Sequence, residues 1–249
     1  MYQEERLVEI INLLQKKNTL SKQEIIEIFD VSRDTARRDI VRLVNENRAV
    51  RTHGGITLAS FHSAIPNYNE RKIENKSIKE KLAEKAKQYI TVHKVAFFDV
   101  STTIACLCSK IPTGLEVYTH SLDNVEILSQ KHATNMIGGK YHAKNRYMYG
   151  SQTLEELDTI YFDIAFLGAA SINADGIYVE EKEDAAIKKK VAKRSACVVV
   201  IADHTKFTKQ STYKALDFTE INILTTSQPL PKNVETAIRE AGCVLDIVE

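Results

Sequence analysis

Apolar residues recur at helical spacing from the first positions of the chain. Leu7, Ile10, Ile11 and Leu14 fall every three or four residues across 3–17, and Lys16, Lys17 and Asn18 close the run as expected near a helix C-terminus. Ser21 followed by Glu24 has the spacing of a capping box, with Ile25, Ile26 and Phe29 forming the apolar face of a second helix of about two turns. Asp30 and Val31 break the pattern, Ser32 caps again, and Ala36, Ile40, Leu43 and Val44 predict a third helix from Arg33 to Asn47. Ala49 to Leu58 then reads as two strands around Gly54-Gly55, a hairpin wing on a helix-turn-helix.

Residues from Ser60 to Lys81 turn polar, with Pro66, several asparagines and mixed charge, which is the composition of a connector leading into a solvated helix. The boundary falls near 60–75, so the expected division is a domain at 1–58, a linker at 59–76 and a second domain at 77–249. Beyond the connector, helical patterns alternate with short apolar runs at Val95–Phe98, Glu116–Tyr118, Thr134–Ile137, Asp163–Leu167, Cys197–Ala202 and Ile221–Leu224. That alternation predicts an α/β domain with a mainly parallel sheet covered by helices. No internal repeat or low-complexity segment intervenes.

Composition narrows the function classes. The 34 basic and 33 acidic residues nearly cancel, so any grip on a polyanion is local. Four cysteines (Cys106, Cys108, Cys197, Cys243) lie in apolar runs without a C-x-x-C pair, which suggests buried thiols in a reducing compartment and neither a disulfide frame nor a zinc site. No apolar run approaches the roughly 18 residues that span a bilayer. The acidic, helical start does not read as a leader. The expectation is a cytoplasmic protein with no cofactor and no metal.

Charge is concentrated between Ser32 and His53, where six arginines stand with three acids and no lysine. Ser32, Arg33, Thr35, Arg37 and Arg38 cluster at the leading end of the third helix, the end that enters a major groove in this motif, and the guanidinium fork can bond phosphate or guanine in two places. A solvated face with Arg-Asp pairs at neighbouring turns is the plain alternative. The wing favours DNA: Arg51, His53 and Gly54-Gly55 lie where a hairpin grips the sugar-phosphate rail.

These residues resemble the DeoR family of bacterial regulators. The match runs through Arg6, Ile10 and Leu14, then Ser32 and Thr35-Ala36-Arg37-Arg38-Asp39-Ile40, and ends on Arg51-Thr52-His53-Gly54-Gly55. The resemblance implies double-stranded operator DNA as a partner. It covers nearly the whole chain and implies a second domain similar in fold to ribose-5-phosphate isomerase, controlled by a phosphorylated sugar.

Strand ends carry the candidate sensor chemistry. Asp99-Val100-Ser101-Thr102-Thr103 follows a strand and opens a helix, so its N–H groups and hydroxyls can hold a phosphate, although hydroxyls there also serve as ordinary helix caps. Thr119-His120-Ser121, Gly168-Ala169-Ala170 and Asp203-His204-Thr205-Lys206 close three further strands at the same edge, and Lys206 can neutralise a phosphate. The resemblance adds sugar contacts near Thr119 to Ser121, Gly139 and Gly168, and further polar contacts from Asp175, Glu183, Lys188, Asp203 and Lys206. Two positions depart from the family: Ser101 stands where glycine is usual and His120 where asparagine is usual. The first implies altered ligand choice or weaker phosphate binding, the second a binding that responds to pH.

The leading reading is a regulator, a repressor by the family's habit, that binds inverted half-sites as a homodimer or homotetramer. A sugar-phosphate isomerase or hydrolase using Asp99, Glu180, Glu183 or Asp203 is a second reading, for which neither triad order nor metal spacing speaks. A DNA-binding protein whose second domain only assembles subunits is a third.

Overall fold

The computed structural model describes residues 2–17, 19–46, 48–51, 54–58, 68–91 and 94–248. Its contacts divide the chain into two compact units, Met1–Ile65 and Pro66–Glu249.

The first unit holds helices α1 (Gln3–Lys17), α2 (Lys22–Phe29) and α3 (Arg33–Asn45) with strands β1 (Thr19–Ser21), β2 (Ala49–Arg51) and β3 (Gly55–Leu58). The Ser21/Glu24 capping box is formed in both directions, at 3.1 and 2.9 Å. Leu7, Ile10, Leu14, Ile25, Ala36, Ile40 and Leu43 make one core, the stripe that the 3.6-residue period drew. The wing pairs Val50 with Thr57 and Arg51 with Ile56. β1 was not expected. Three residues with one apolar side chain give no alternating pattern, yet β1 pairs with β3 and makes the sheet three-stranded, in the order β1-β3-β2.

The second unit opens with α4 (Tyr68–Ile73) and α5 (Lys76–Ala86), followed by β4 (Val95–Phe98), α6 (Thr102–Cys108), β5 (Glu116–Thr119), α7 (Leu122–Leu128) and β6 (Thr134–Met136). A hairpin of β7 (Lys140–His142) and β8 (Tyr147–Tyr149) leads to α8 (Ser151–Asp158) and β9 (Ile164–Leu167). The chain continues through β10 (Ser171–Asn173), β11 (Gly176–Val179), α9 (Lys182–Lys193), β12 (Val198–Ala202), β13 (Tyr213–Leu216), β14 (Ile223–Ser227), α10 (Lys232–Glu240) and β15 (Val244–Val248).

Seven strands form one parallel sheet in the order β15-β14-β12-β9-β4-β5-β6. All six strands expected from the apolar runs are in it, and β15 adds an edge that the pattern did not announce. Both faces are covered. Phe97, Leu167, Val198 and Val200 pack on one side, while Ala96, Phe98, Phe166, Val199 and Ile201 pack on the other. Burial on both faces is why these strands read as unbroken apolar runs. The small antiparallel sheet β10-β11-β13 and the β7-β8 hairpin were missed, their strands being only three or four residues long.

The expected linker is shorter than 59–76. Residues 59–67 lie outside the described residues, but Tyr68 is buried at the start of α4 and Arg71 bonds Asn145 at 2.9 Å, so this end of the segment is packed on the second unit. Its charged composition concealed one buried tyrosine. All four cysteines are free; Cys108 and Cys243 are buried, Cys106 and Cys197 half-buried.

Strand order reverses at β4. The chain first adds β5 and β6 on one side, then returns to place β9, β12, β14 and β15 on the other. The carboxyl ends of β4 and β9 therefore frame a crevice of the kind in which open parallel sheets hold ligands.

Candidate DNA-reading surface and effector site

Helix α3 is held by one buried ion pair. Asp39 is fully buried and receives Arg6 Nε at 2.6 Å and Nη2 at 3.2 Å, while Gln3 Nε2 donates to it at 3.0 Å. The bond to Asp39 raises the Arg6 pKa further above its ordinary value. Asp39 thus anchors α1 to α3 and lies on the face away from Arg37 and Arg38.

The outward face sorts its arginines into two kinds. Arg42 is engaged by Glu46 at 2.9 Å and by Glu4, and Arg48 meets Glu46 at 3.4 Å. Among the described residues, the exposed side chains of Arg33, Arg37, Arg38 and Arg51 make no hydrogen bond or ion pair. Ser32 caps α3, its Oγ accepting from Thr35 N at 3.1 Å and lying 2.9 Å from Thr35 Oγ1. Asp34, Arg37, Arg38, Val41 and Asn45 line a groove of about 550 Å³ along this face. Three of these cations, Arg33, Arg37 and Arg38, stand in the leading half of α3, and Arg51 ends β2.

In the wing, His53 and Thr52 lie outside the described residues. Gly55 has a packing reason of its own, since a Cβ there would stand 1.9 Å from the Leu20 carbonyl oxygen of β1. A Cβ on Gly54 would meet nothing within 4 Å.

At the crevice between β4 and β9, Asp99 is fully buried. Its Oδ2 accepts from Gly168 N at 2.8 Å and from Lys188 Nζ at 2.7 Å, and Lys188 also donates to Asp184 at 2.6 Å. Burial works against the Lys188 charge, but Asp184 and Asp99 outweigh it and raise its pKa. Burial pushes the Asp184 carboxyl up, against the pull of Lys188. His120 is also fully buried, stacked on Phe97 with centroids 5.6 Å apart and set edge-on to Tyr147 at 5.4 Å. Its Nε2 lies 3.8 Å from Asp99 Oδ1, too far for a hydrogen bond. Among the described residues, Asp99 Oδ1, both His120 nitrogens and the Tyr147 hydroxyl have no partner. Burial lowers the His120 pKa to about 3. The ring is therefore neutral at physiological pH.

Asp99, His120 and Asp184 are the residue types of a metal site, their ligand atoms within 4.8 Å of one another. The Lys188 ammonium already bonds both carboxylates, so a metal ion would have to expel a paired cation from a buried position.

Other expected contacts have structural roles. Ser101 Oγ caps α6 by accepting from Thr103 N at 3.2 Å, and Thr102 and Thr103 are buried, so the capping reading of this loop describes what is seen. Thr119 Oγ1 donates to the Phe98 carbonyl at 2.6 Å, and Ser121 caps α7. Gly168 lies in the site: a Cβ would come within 2.6 Å of Ser101 Cβ. Gly139 is required by packing, since its Cβ would fall 2.2 Å from Thr153 Oγ1. Asp175 is exposed and paired with Lys214 at 2.7 Å, outside the buried group. Glu183 is exposed, and its neighbour Asp184 is the residue turned inward. The i, i+4 spacing of Asp184 and Lys188 was a signal available in the sequence.

Asp203 caps the short helix His204–Phe207 by accepting from Thr205 N at 3.0 Å. Lys206 follows it, half-buried, and among the described residues it has no hydrogen bond or ion pair within 4.0 Å. Burial lowers its pKa to about 8; Asp203 opposes this, while Lys209, Lys79 and Arg71 add to it. Lys79 is 4% exposed and donates to the carbonyls of Arg71 and Glu74, the latter at 2.6 Å. Sequence reading placed Lys79 and Arg71 in a solvated connector and missed them; the apolar repeat of Leu82, Ala83 and Ala86 on the same helix was the available sign.

Family models match both units: a DeoR-like helix-turn-helix domain over residues 6–61 and a DeoR C terminal sensor domain over residues 74–228. The chain belongs to the DeoR family. Similar proteins include the HTH-type transcriptional repressor GlcR of Bacillus subtilis (strain 168), 34% identical over 231 residues that cover 92% of this chain and 90% of that one. The glycerol-3-phosphate regulon repressor of Escherichia coli (strain K12) is 26% identical over 252 residues, 99% of this chain and 100% of that one. This DeoR-family chain is thus a DNA-binding transcription regulator. Among solved structures, ribose 5-phosphate isomerase A of Methanocaldococcus jannaschii is similar at 17% identity with a TM-score of 0.39, covering 54% of this chain and 55% of that one. That likeness is too distant to say anything of the site. No described helix is long and apolar enough to cross a membrane.

Proposed function

We infer that this regulator represses a sugar-metabolism operon and that a phosphorylated sugar, bound at the carboxyl edge of the seven-stranded sheet, sets its affinity for operator DNA. The observation that carries this is Lys206, a half-buried cation with no ion pair within 4.0 Å among the described residues, on which burial and the charges of Lys209, Lys79 and Arg71 act against the single favourable charge of Asp203. A phosphate dianion relieves that repulsion and restores what burial costs the ammonium. The Asp99–Lys188–Asp184 group sets two carboxyl groups around an ammonium that is already paired, and it suits hydroxyls better than phosphate. The ligand is accordingly oriented, its phosphate toward Lys206 and its sugar toward Asp99. A relative named for glycerol-3-phosphate supports a phosphorylated polyol as the class of effector.

On the DNA side, Ser32, Arg33, Thr35, Arg37 and Arg38 read the groove, with Arg51, His53 and Gly54 on the backbone. Single modules bury too little surface for selective binding, so the working form is a cytoplasmic homodimer or homotetramer on paired half-sites. Thermal shift of the full chain with glycerol 3-phosphate, glucose 6-phosphate and fructose 6-phosphate tests the effector end. At about 100 times Kd a ligand adds roughly 2.7 kcal/mol of stability. Lys206→Met removes that gain; stabilisation by the unphosphorylated sugars to the same extent contradicts the reading.

A further inference from the structure

Buried polar atoms are normally paired, and each exception calls for an explanation. Among the described residues of the second unit, three neighbouring side chains carry such atoms: Asp99 Oδ1, His120 Nδ1 and Nε2, and the Tyr147 hydroxyl. Asp99, His120 and Tyr147 come from the end of β4, the end of β5 and the start of β8, and all three are buried to within 1%. The gap between Asp99 Oδ1 and His120 Nε2 is 3.8 Å. That is too wide for a direct bond and matches a bridge in which one oxygen stands about 2.8 Å from each.

We propose that Asp99 and His120 form a hydroxyl subsite that determines which sugar the regulator accepts, one sugar hydroxyl donating to Asp99 Oδ1 and accepting from His120 Nε2–H. The inference rests on the effector reading above and deepens it. The residue chemistry selects the occupant. Asp99 spends Oδ2 on Lys188 Nζ and Gly168 N, which leaves Oδ1 as the oxygen free to accept a hydrogen bond. His120, between Phe97 and Tyr147, is a neutral imidazole and supplies one N–H and one lone pair. A hydroxyl satisfies both, because it donates and accepts at once. A phosphate or carboxylate oxygen has no proton for Asp99, and an ammonium has no lone pair for His120. A site built to bond a hydroxyl discriminates strongly against the analogue that lacks it, since its buried polar groups are then left unpaired.

The test is calorimetric titration of the full chain and of His120→Leu, which occupies the space without hydrogen-bonding atoms, with His120→Phe as the second variant should the first not fold. Probes are glucose 6-phosphate, fructose 6-phosphate, glycerol 3-phosphate, their deoxy analogues and inorganic phosphate. For whichever sugar phosphate binds the wild-type chain, the variant binds it at least tenfold more weakly while its affinity for inorganic phosphate stays within twofold. One deoxy analogue binds wild type and variant alike. Equal affinity of wild type and variant for every sugar phosphate overturns the subsite and leaves the effector reading standing. Sugar phosphates that bind neither chain more tightly than inorganic phosphate overturn both. Tight binding of Mg2+, Mn2+ or Zn2+ alone to wild type, lost in the variant, overturns the subsite in favour of a metal centre.

Discussion

The two units use charge in opposite ways. In the first, Arg33, Arg37 and Arg38 stand exposed and unpaired along one helix, ready for a polyanion. In the second, buried Lys188 bonds both buried Asp99 and half-buried Asp184, and Lys206 is held at the margin of the interior. Free surface charge acts at a distance, tolerates movement and costs the fold nothing. Buried charge is tied to the geometry of several strands at once, so a ligand that enters there changes the packing around it. That is the property a sensor needs and a DNA-reading helix does not.

Substitutions at the two sites therefore separate. The largest effect is expected at Lys188→Met, which leaves buried Asp99 and half-buried Asp184 without their cation and costs about 3–5 kcal/mol of stability. Urea unfolding measures it, and a loss below 1 kcal/mol would mean that the buried group is not a structural knot. Next comes Arg37→Ala or Arg38→Ala, each weakening operator binding about tenfold or more with unchanged melting temperature. Titrations at several salt concentrations tell a phosphate contact, which lowers the salt slope by about one, from a base contact, which relaxes sequence preference.

A smaller, pH-dependent effect belongs to His120. Its folded pKa of about 3 lies below the ordinary 6.5, so between these values the unfolded chain binds a proton that the folded chain refuses. Its contribution is whole above about pH 6.5 and is lost as pH falls toward 3, with a slope of at most about 1.4 kcal/mol per pH unit. His120→Asn flattens the acid limb of the stability curve, and an unchanged limb would show that the imidazole is not buried. The smallest effect is expected at Arg42→Ala, whose partners Glu4 and Glu46 are exposed: a melting temperature and an operator affinity within error of wild type.

The same contrast explains what the sequence disclosed. Capping at Ser21 and Ser32, the apolar stripe of α1 to α3 and the arginines of α3 all depend on residues within one or two turns, and each was readable. The six apolar runs disclosed the central strands because burial on both faces leaves no polar alternation to confuse them. Asp184 was passed over for Glu183 because two adjacent acids at a helix start differ only in which way the turn points them. Lys79 and Arg71 were lost in a charged stretch whose buried face shows only once α4 and α5 pack on the sheet. The pairing of Asp99 with Lys188 spans a sequence distance that no local pattern encodes. Thr119 bonds the Phe98 carbonyl at 2.6 Å and Gly139 stands where a Cβ would be crowded, packing roles that their residue types alone do not disclose.

The most direct test of the account is operator affinity itself. With DNA selected from random sequence, fluorescence anisotropy of the full chain should show that at least one phosphorylated sugar changes the Kd fivefold or more, the range of ordinary allosteric coupling, while its unphosphorylated parent does not. A Kd unmoved by every sugar phosphate at millimolar concentration, in a chain that still binds its operator, would contradict it.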